Sequence, residues 1–268
     1  MNVALILAGG HGSRTAQDIP KQFMNVYEKP LIVYTLENFE KHPDIDEIAV
    51  VCIDGWHEVL RAYGENCPAD VLFFSRLHKL EQGVDLEDGY LVLKDGGRKE
   101  QICHVDELHI LGGHNHENAM AAIAITHRMG VPVDVIRKTL LEFRAVEHRI
   151  EFVEEIDGVA YYNDSKGTNP DAAIKGIQAM NRPTYLIGGG YDKGSEYDEW
   201  IEAFDGKVKE LVLIGVTAQK IADCARKHGF EHIVFADSLE DAVKECAARA
   251  GSGDAVLLSP ACASWGMF

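Results

Sequence analysis

Basic residues are scarce in this chain: 26 Lys and Arg stand against 43 Asp and Glu in 268 residues, a formal charge of −17. Gripping a phosphate backbone draws on counterion release at a basic face, and attraction to an anionic lipid surface needs clustered cations. Nucleic acid and membrane are therefore not expected as partners. Long apolar runs are also missing, since none approaches the roughly 20 residues of a spanning helix. The apolar start Val3–Ala8 has no basic lead and runs straight into glycines, which reads as a buried strand and not a signal peptide. The six cysteines, Cys52, Cys67, Cys103, Cys224, Cys246 and Cys262, form no C-x-x-C pair. Reduced, buried thiols in a cytoplasmic protein are the expectation, with no metal site. His114 and His116 stand two apart, which on a helix sends their side chains in different directions.

What is present is an ordinary globular balance, 46% hydrophobic and 26% charged, long enough for one large or two modest domains. Val3–Ala8, a helix over Pro30–His42 and a second apolar run at Ile48–Ile53 make one βαβ unit, whose natural outcome is parallel pairing. Beyond Glu65–Asp70 the texture changes. A short strand at Val71–Phe74 is followed by Asp88-Gly89 and Asp95-Gly96-Gly97, which punctuate apolar segments as hairpins do. Helices follow at Glu117–Met129 and from Pro132. From about Val146 strands alternate with helices. Strands are expected at Arg149–Glu155, Val159–Asn163, Thr184–Ile187, Glu210–Ile214, His232–Phe235 and Ala255–Leu258. Helices are expected at Pro170–Met180, Tyr197–Phe204, Thr217–His228 and Leu239–Ala250. The fold class is α/β, ending in a doubly wound Rossmann-like sheet.

Two constellations carry chemistry. The first is Gly9-Gly10-His11-Gly12-Ser13-Arg14 with Pro20-Lys21-Gln22-Phe23. Glycines after a strand let backbone amides approach phosphate oxygens, and Arg14 and Lys21 could neutralise a pyrophosphate leaving group; a tight βα turn is the plain alternative. The second has five stations: Gly112–Ala119, His148–Glu151, Asn163–Pro170, Gly188–Lys193 and Leu258–Ser264. Several fall at strand ends, where open α/β sheets place ligands. Asn163–Asn169 opens onto a helix start, an anion site through its amides, and Lys166 and Lys193 are point charges suited to carboxylates or phosphates. Each station also has a structural reading, as a helix cap or a turn.

The first constellation resembles the start of the cytidylyltransferases that act on methylerythritol phosphate or ribitol phosphate. That resemblance implies a phosphate loop of Gly9, Gly10 and Gly12, with Arg14 and Lys21 stabilising phosphoryl transfer. The second resembles the Mur ligases, from about Ala69 onward, and within them the branch that adds D-glutamate to UDP-N-acetylmuramoyl-L-alanine through an acyl phosphate in peptidoglycan precursor synthesis. It implies ATP with Mg2+ as cofactor, and ATP or ADP, D-glutamate and the UDP-muramoyl peptide as small-molecule ligands. By the same resemblance Asn118, Arg149 and Asp164 bind the nucleotide. Lys166 and Thr168 sit beside the transferred phosphate and the incoming amino acid. Lys193 and Ser264, with Thr168, bind D-glutamate.

The expected organisation is thus composite: a truncated cytidylyltransferase-like βαβ segment over 1–66, a mixed-sheet remnant of the Mur ligase central domain over 67–145, and a Mur ligase C-terminal domain over 146–268. The Mur family cradles ATP phosphates in a P-loop, and no Gly-Lys-Ser or Gly-Lys-Thr occurs in this chain. The expectation is a ligase lineage that is catalytically incomplete in this polypeptide alone. The alternatives are cytidylyl transfer from the front segment, or a non-catalytic binding module. The front segment is expected either to dock on the central remnant or to be loosely ordered.

Overall fold

From β1 (Val3–Ala8) the chain reaches a 3-10 turn at Lys21–Phe23 and a short antiparallel ribbon, β2 (Asn25–Val26) with β3 (Lys29–Pro30). It then enters α1 (Leu31–Glu40), β4 (Glu47–Cys52) and α2 (His57–Tyr63). β1 and β4 pair in parallel from Val3–Glu47 to Ala8–Cys52, so the βαβ unit is as expected. Ala8, Phe23, Ile32 and Val33 form its small core, and the Phe23 and Trp56 rings stack at 4.9 Å. The computed structural model describes residues 2–9, 19–52, 55–63 and 72–263, and its contacts divide the chain into two units, 1–73 and 74–268. The join at Glu65–Asp70 and Cys67 lie outside the described residues.

The second unit opens with a four-stranded sheet in sequence order, β5 (Phe74–Ser75), β6 (Gly83–Glu87), β7 (Tyr90–Asp95) and β8 (Arg98–His104). Both hairpins form where the sequence placed them. Asp88-Gly89 and Gly96-Gly97 are all at positive φ, the left-handed pair that a tight hairpin turn requires. The sheet is mixed because β5 joins β6 in parallel. Of the strand expected over 71–74, Phe74 takes part and Leu72 and Phe73 do not, while Val71 lies outside the described residues. α3 (Gly113–Arg128) packs on β5 and β6, and α4 (Val133–Glu142) on β8. α3 starts four residues before Glu117, since Gly112 turns at φ 93° and the Asn115 side chain donates to Leu111 O at 2.7 Å.

The remaining elements are β9 (Glu151–Ile156), β10 (Val159–Asn163), α5 (Pro170–Ala179), β11 (Thr184–Gly189), α6 (Asp198–Glu202), β12 (Val208–Ile214), α7 (Ala218–Lys227), β13 (Ile233–Phe235), α8 (Leu239–Arg249) and β14 (Ala255–Leu258). They build one sheet in the order β13-β12-β11-β14-β10-β9, parallel except for the edge strand β9. The doubly wound expectation holds. β9 folds back antiparallel through Asp157-Gly158, another pair at positive φ. Side-chain alternation along β12 feeds two cores, as a period of two dictates. Leu211 and Leu213 pack with Ile177, Trp200 and Ile221 on one face, and Val212 and Ile214 with Ala242 and Cys246 on the other. Burial, followed by the Glu210 carboxylate, pushes the Cys246 thiol up to about 12. The helices begin on proper caps. Asn169 accepts from the Ala172 amide at 3.0 Å with Pro170 next in the chain, and Ser238 accepts from the Asp241 amide at 3.1 Å. The strand order reverses around β14, which returns between β11 and β10. That is the switch point at which such sheets leave a crevice beyond their carboxyl ends.

Candidate functional site

Three neighbouring strands, β10, β14 and β11, end in register, with Asn163 opposite Leu258 and Leu258 opposite Ile187. Three of the five polar stations are therefore side by side at one edge. The loop after β10 is pinned first. Asp164 is buried, its amide donates to Leu258 O at 2.7 Å, its Oδ2 accepts from the Ser259 hydroxyl at 2.7 Å, and its Oδ1 accepts from the Ile150 amide at 3.3 Å. Burial raises the Asp164 carboxyl above its ordinary value, while Ser259, the Ile150 amide and nearby Arg149 pull the other way. Gly167 and Gly176 pack against this carboxylate so closely that a Cβ on either would lie within 2.8 Å of Oδ2. Asp164 thus ties the β10 loop to the end of β14 and to the turn at 148–150.

That turn is itself unusual, because His148 and Ile150 both have positive φ. Its His148 carbonyl accepts from the Lys166 amide at 3.1 Å, and the Asn163 side chain lies 3.0 Å from His148 Nδ1. Arg149, exposed, is thereby held beside the loop that carries exposed Lys166 and half-buried Thr168. The amides expected to greet an anion at the start of α5 are mostly engaged. Pro170 has none, Ala172 donates to its cap, Gly167 donates to Asp164 O, and Thr168 to Lys166 O. At this edge Lys166 and Arg149 carry the positive charge, and the backbone does so much less.

The β11 end tells a similar story. A Cβ on Gly189 would come 2.2 Å from Ile214 O, and one on Gly190 2.5 Å from Ala263 O, both at positive φ. The Gly189 amide donates to Pro260 O at 2.8 Å and the Gly190 amide to Thr217 Oγ1 at 2.9 Å. These glycines permit close packing and do not cradle a phosphate. Tyr191 bridges to Ala263, its amide donating to Ala263 O at 2.7 Å. The residue before Ser264 therefore lies against the loop carrying exposed Lys193, although Ser264 itself lies outside the described residues. Lys220 donates to Ser195 O at 2.8 Å and stands 3.9 Å from Asp192, and so holds the far side of that loop.

Asn118 sits in an exposed position on α3, its Nδ2 donating to Asn115 Oδ1 at 3.3 Å. Between the lead-in to α3 and the 144–152 segment lies a cavity of about 420 Å3, lined by His109, Leu111, Arg144, Ile150, Phe152 and Tyr162 among others. Its walls adjoin the segments that carry Asn118 and Arg149. In the front unit the Gln22 side chain donates to Ala8 O at 2.8 Å, which brings the Lys21 turn beside the end of β1 and Gly9. Gly10, Gly12 and Arg14 lie outside the described residues.

Three residues that shape the site went unnamed as site residues in the sequence reading. Ser259 could have been found by aligning the ends of the strands at Val159–Asn163 and Ala255–Leu258. Thr217, buried beneath Gly190, and Tyr197, whose Oη is 3.1 Å from the buried Cys262 Sγ, give no local signal, since their roles follow from strand order alone.

Residues 148–262 match the Mur ligase, glutamate ligase domain, and residues 2–65 match 2-C-methyl-D-erythritol 4-phosphate cytidylyltransferase. The UDP-N-acetylmuramoylalanine–D-glutamate ligase of Lachnoclostridium phytofermentans is 53% identical over 209 residues, 78% of this chain and 46% of that protein. The chain spans about half the length of the curated relatives it matches. Among solved structures, MurF from Acinetobacter baumannii superposes with a TM-score of 0.62 at 16% identity, covering 97% of this chain and 57% of that one. MurF ligase from Thermotoga maritima in complex with ADP gives 0.54 at 15% identity, covering 96% and 57%. At these identities the structural likeness is one of fold. Both resemblances read from the sequence hold: to a D-glutamate-adding Mur ligase across the back of the chain, and to a cytidylyltransferase across its front. No helix among the described residues is long and apolar enough to cross a membrane.

Proposed function

We propose that the back portion of this chain is the amino-acid and nucleotide-binding part of a peptidoglycan-precursor ligase that adds D-glutamate, joined to the opening βαβ unit of a cytidylyltransferase. The observation that carries this reading is the convergence of the β10, β14 and β11 ends, with Lys166, Thr168 and Lys193 on adjacent loops. A dicarboxylate suits two ammonium groups and a hydroxyl held at one edge. Lys193 and Ser264 take the D-glutamate carboxylates, and Lys166 and Thr168 stand between amino acid and phosphate. Asn118 and Arg149 take the nucleotide, whose base fits the cavity beside them, a volume within the usual range for small-ligand sites. Asp164 binds ribose only by giving up one of its two internal bonds, so its first duty is to hold both loops.

The described residues do not fit a magnesium–phosphate centre. Both oxygens of Asp164 are engaged, Asp192 Oδ1 accepts from the Gly194 amide at 2.8 Å, and these 268 residues contain no P-loop sequence. Acyl phosphate formation rests on electrostatic stabilisation of the moving phosphoryl group. We therefore expect binding without turnover from this polypeptide alone.

Calorimetry on the whole chain tests the reading. D-glutamate and ADP are each expected to bind, with Lys193→Ala weakening the first and Arg149→Ala the second. Silence with both ligands in a folded sample overturns the binding site. Phosphate release at an ordinary ligase rate, with UDP-muramoyl-alanine, ATP and D-glutamate, overturns the argument from the missing cradle. A second reading is favoured by the Gln22 bond to Ala8 O, which ties the turn that carries Lys21 to the end of β1: CTP binding by the front unit. It requires that CTP with Mg2+ bind and that Lys21→Ala abolish the binding.

A further inference from the structure

Away from that edge, two packed helices bring together a thiol, an imidazole and two carboxylates. Asp198 and Glu202 lie four residues apart on α6, and Cys224 and His228 four apart on α7 and its C-cap. Residues at that spacing share a helix face. His228 Nε2 is 2.9 Å from Asp198 Oδ1, and its Nδ1 is 3.7 Å from Glu202 Oε1. The donor atoms of Asp198, Cys224 and His228 all lie within 4.8 Å of one another. Trp200 and Ile201 anchor α6 from beneath, and Ile221, Ala222 and Ala225 anchor α7, so the four side chains project from a fixed frame.

We propose that Asp198, Cys224 and His228 bind one zinc-class divalent cation that clamps α6 to α7, with water as the fourth ligand and Glu202, on the Nδ1 side, orienting the His228 ring. The donor set selects the ion. Thiolate and imidazole favour Zn2+, Co2+ or Ni2+ over Mg2+ and Ca2+, which want oxygen alone. Bonds of about 2.0–2.3 Å in a tetrahedron place donor atoms roughly 3.5 Å apart. The His228–Asp198 contact opens slightly to admit the ion while the remaining distances close. One cation competes: Lys227 Nζ stands 3.4 Å from Asp198 Oδ1, but its side chain is 76% exposed and free to swing into water. Burial, and then the Asp198 carboxylate, raise the Cys224 thiol above its ordinary value. Loading exchanges the S–H bond for a metal–sulfur bond and releases one proton to solvent. The clamp sits just after the loop that carries Lys193 and secures α6, the helix into which that loop leads.

The test uses the whole chain, stripped with a chelator and titrated with Co2+ alone. One equivalent is expected to produce the thiolate-to-cobalt charge-transfer band and tetrahedral d–d bands, with release of one proton. Zinc is expected to displace the cobalt and to raise the melting temperature. Even outer-shell substitutions weaken metal sites by about 10–100-fold, so His228→Ala is expected to weaken cobalt binding at least that much. Cys224→Ser is expected to remove the charge-transfer band, and Cys52→Ser to leave it. Asp198→Asn, milder for folding, is expected to shift the binding curve while circular dichroism stays native. No band at saturating cobalt, or a band that survives Cys224→Ser, overturns the site.

Discussion

Two strands, β1 in the front unit and β12 in the back, look alike in sequence and differ in fate. Both are short apolar runs that any period-based reading assigns to a strand. In β12 Leu211 and Leu213 are fully buried, while in β1 Leu5 is 53% and Leu7 76% exposed. β12 has strand neighbours on both edges and helices on both faces; β1 has one strand neighbour among the described residues. An apolar run reports that a strand is favourable locally. It does not report how many neighbours the rest of the chain supplies. The same holds for side chains that could bind a ligand: the back unit surrounds its loops with register-matched strands, whereas the exposed Lys21 lies on a short turn tied to the end of β1 by the neighbouring Gln22 side chain.

The widest gap is expected from leucine truncation. Leu213→Ala leaves a cavity in a packed core and is expected to cost about 2–5 kcal/mol. Leu7→Ala, on an exposed position, is expected to fall within about 0.5 kcal/mol of wild type. Denaturant titration of both variants decides it, and equal losses would break the contrast. Glycine substitution comes next. Gly190→Ala forces a Cβ against Ala263 O at positive φ and is expected to cost about 1–3 kcal/mol and to weaken D-glutamate binding. Gly9→Ala meets nothing within 4 Å and is expected to leave stability unchanged. Ser259→Ala is expected to cost about 1–3 kcal/mol, because it strips the buried Asp164 Oδ2 of its donor. Ser259→Thr, which keeps the hydroxyl, is expected to recover part of that loss in the same melting assay.

Much of this was legible in advance, for local reasons. The hairpins announced themselves through Asp-Gly and Gly-Gly, and α5 and α8 begin at Pro170 and Leu239, where the sequence placed them. Boundaries slipped where a non-local contact decided them: α3 begins early because Gly112 turns and Asn115 bonds back to Leu111 O. α2 was missed, as a helix of seven residues carries little signal. The five stations were found by residue type, but their meaning changed on folding. Gly188–Gly190 and Asp164 resembled ligand contacts and prove to be engaged internally, whereas Thr217 and Ser259, which hold them, are ordinary hydroxyls in the sequence. The His228–Asp198 cluster was invisible because its two halves are 30 residues apart and meet only when α6 packs on α7.

The smallest effect expected separates the same two regions by acid. In the back unit Glu87 lies under Lys94 and Lys99, both bonded to its carboxylate, and these two ammonium groups lower it to about 2. In the front unit Glu37 is lowered by its single bond to Lys29, on a more open surface. A carboxylate held below its unfolded value binds fewer protons when folded than when unfolded. Its contribution is therefore complete above about pH 4.5 and disappears as the pH falls toward about 2. Glu87→Gln is expected to flatten that stretch of the stability–pH curve for the four-stranded sheet, read by amide exchange at Leu91–Leu93. Glu37→Gln is expected to flatten the corresponding curve for β1 and β4 less, because an exposed pair is screened by water and salt. If the front unit loses as much acid sensitivity as the back, the difference in packing does not extend to electrostatics, and neighbours would matter for apolar burial alone.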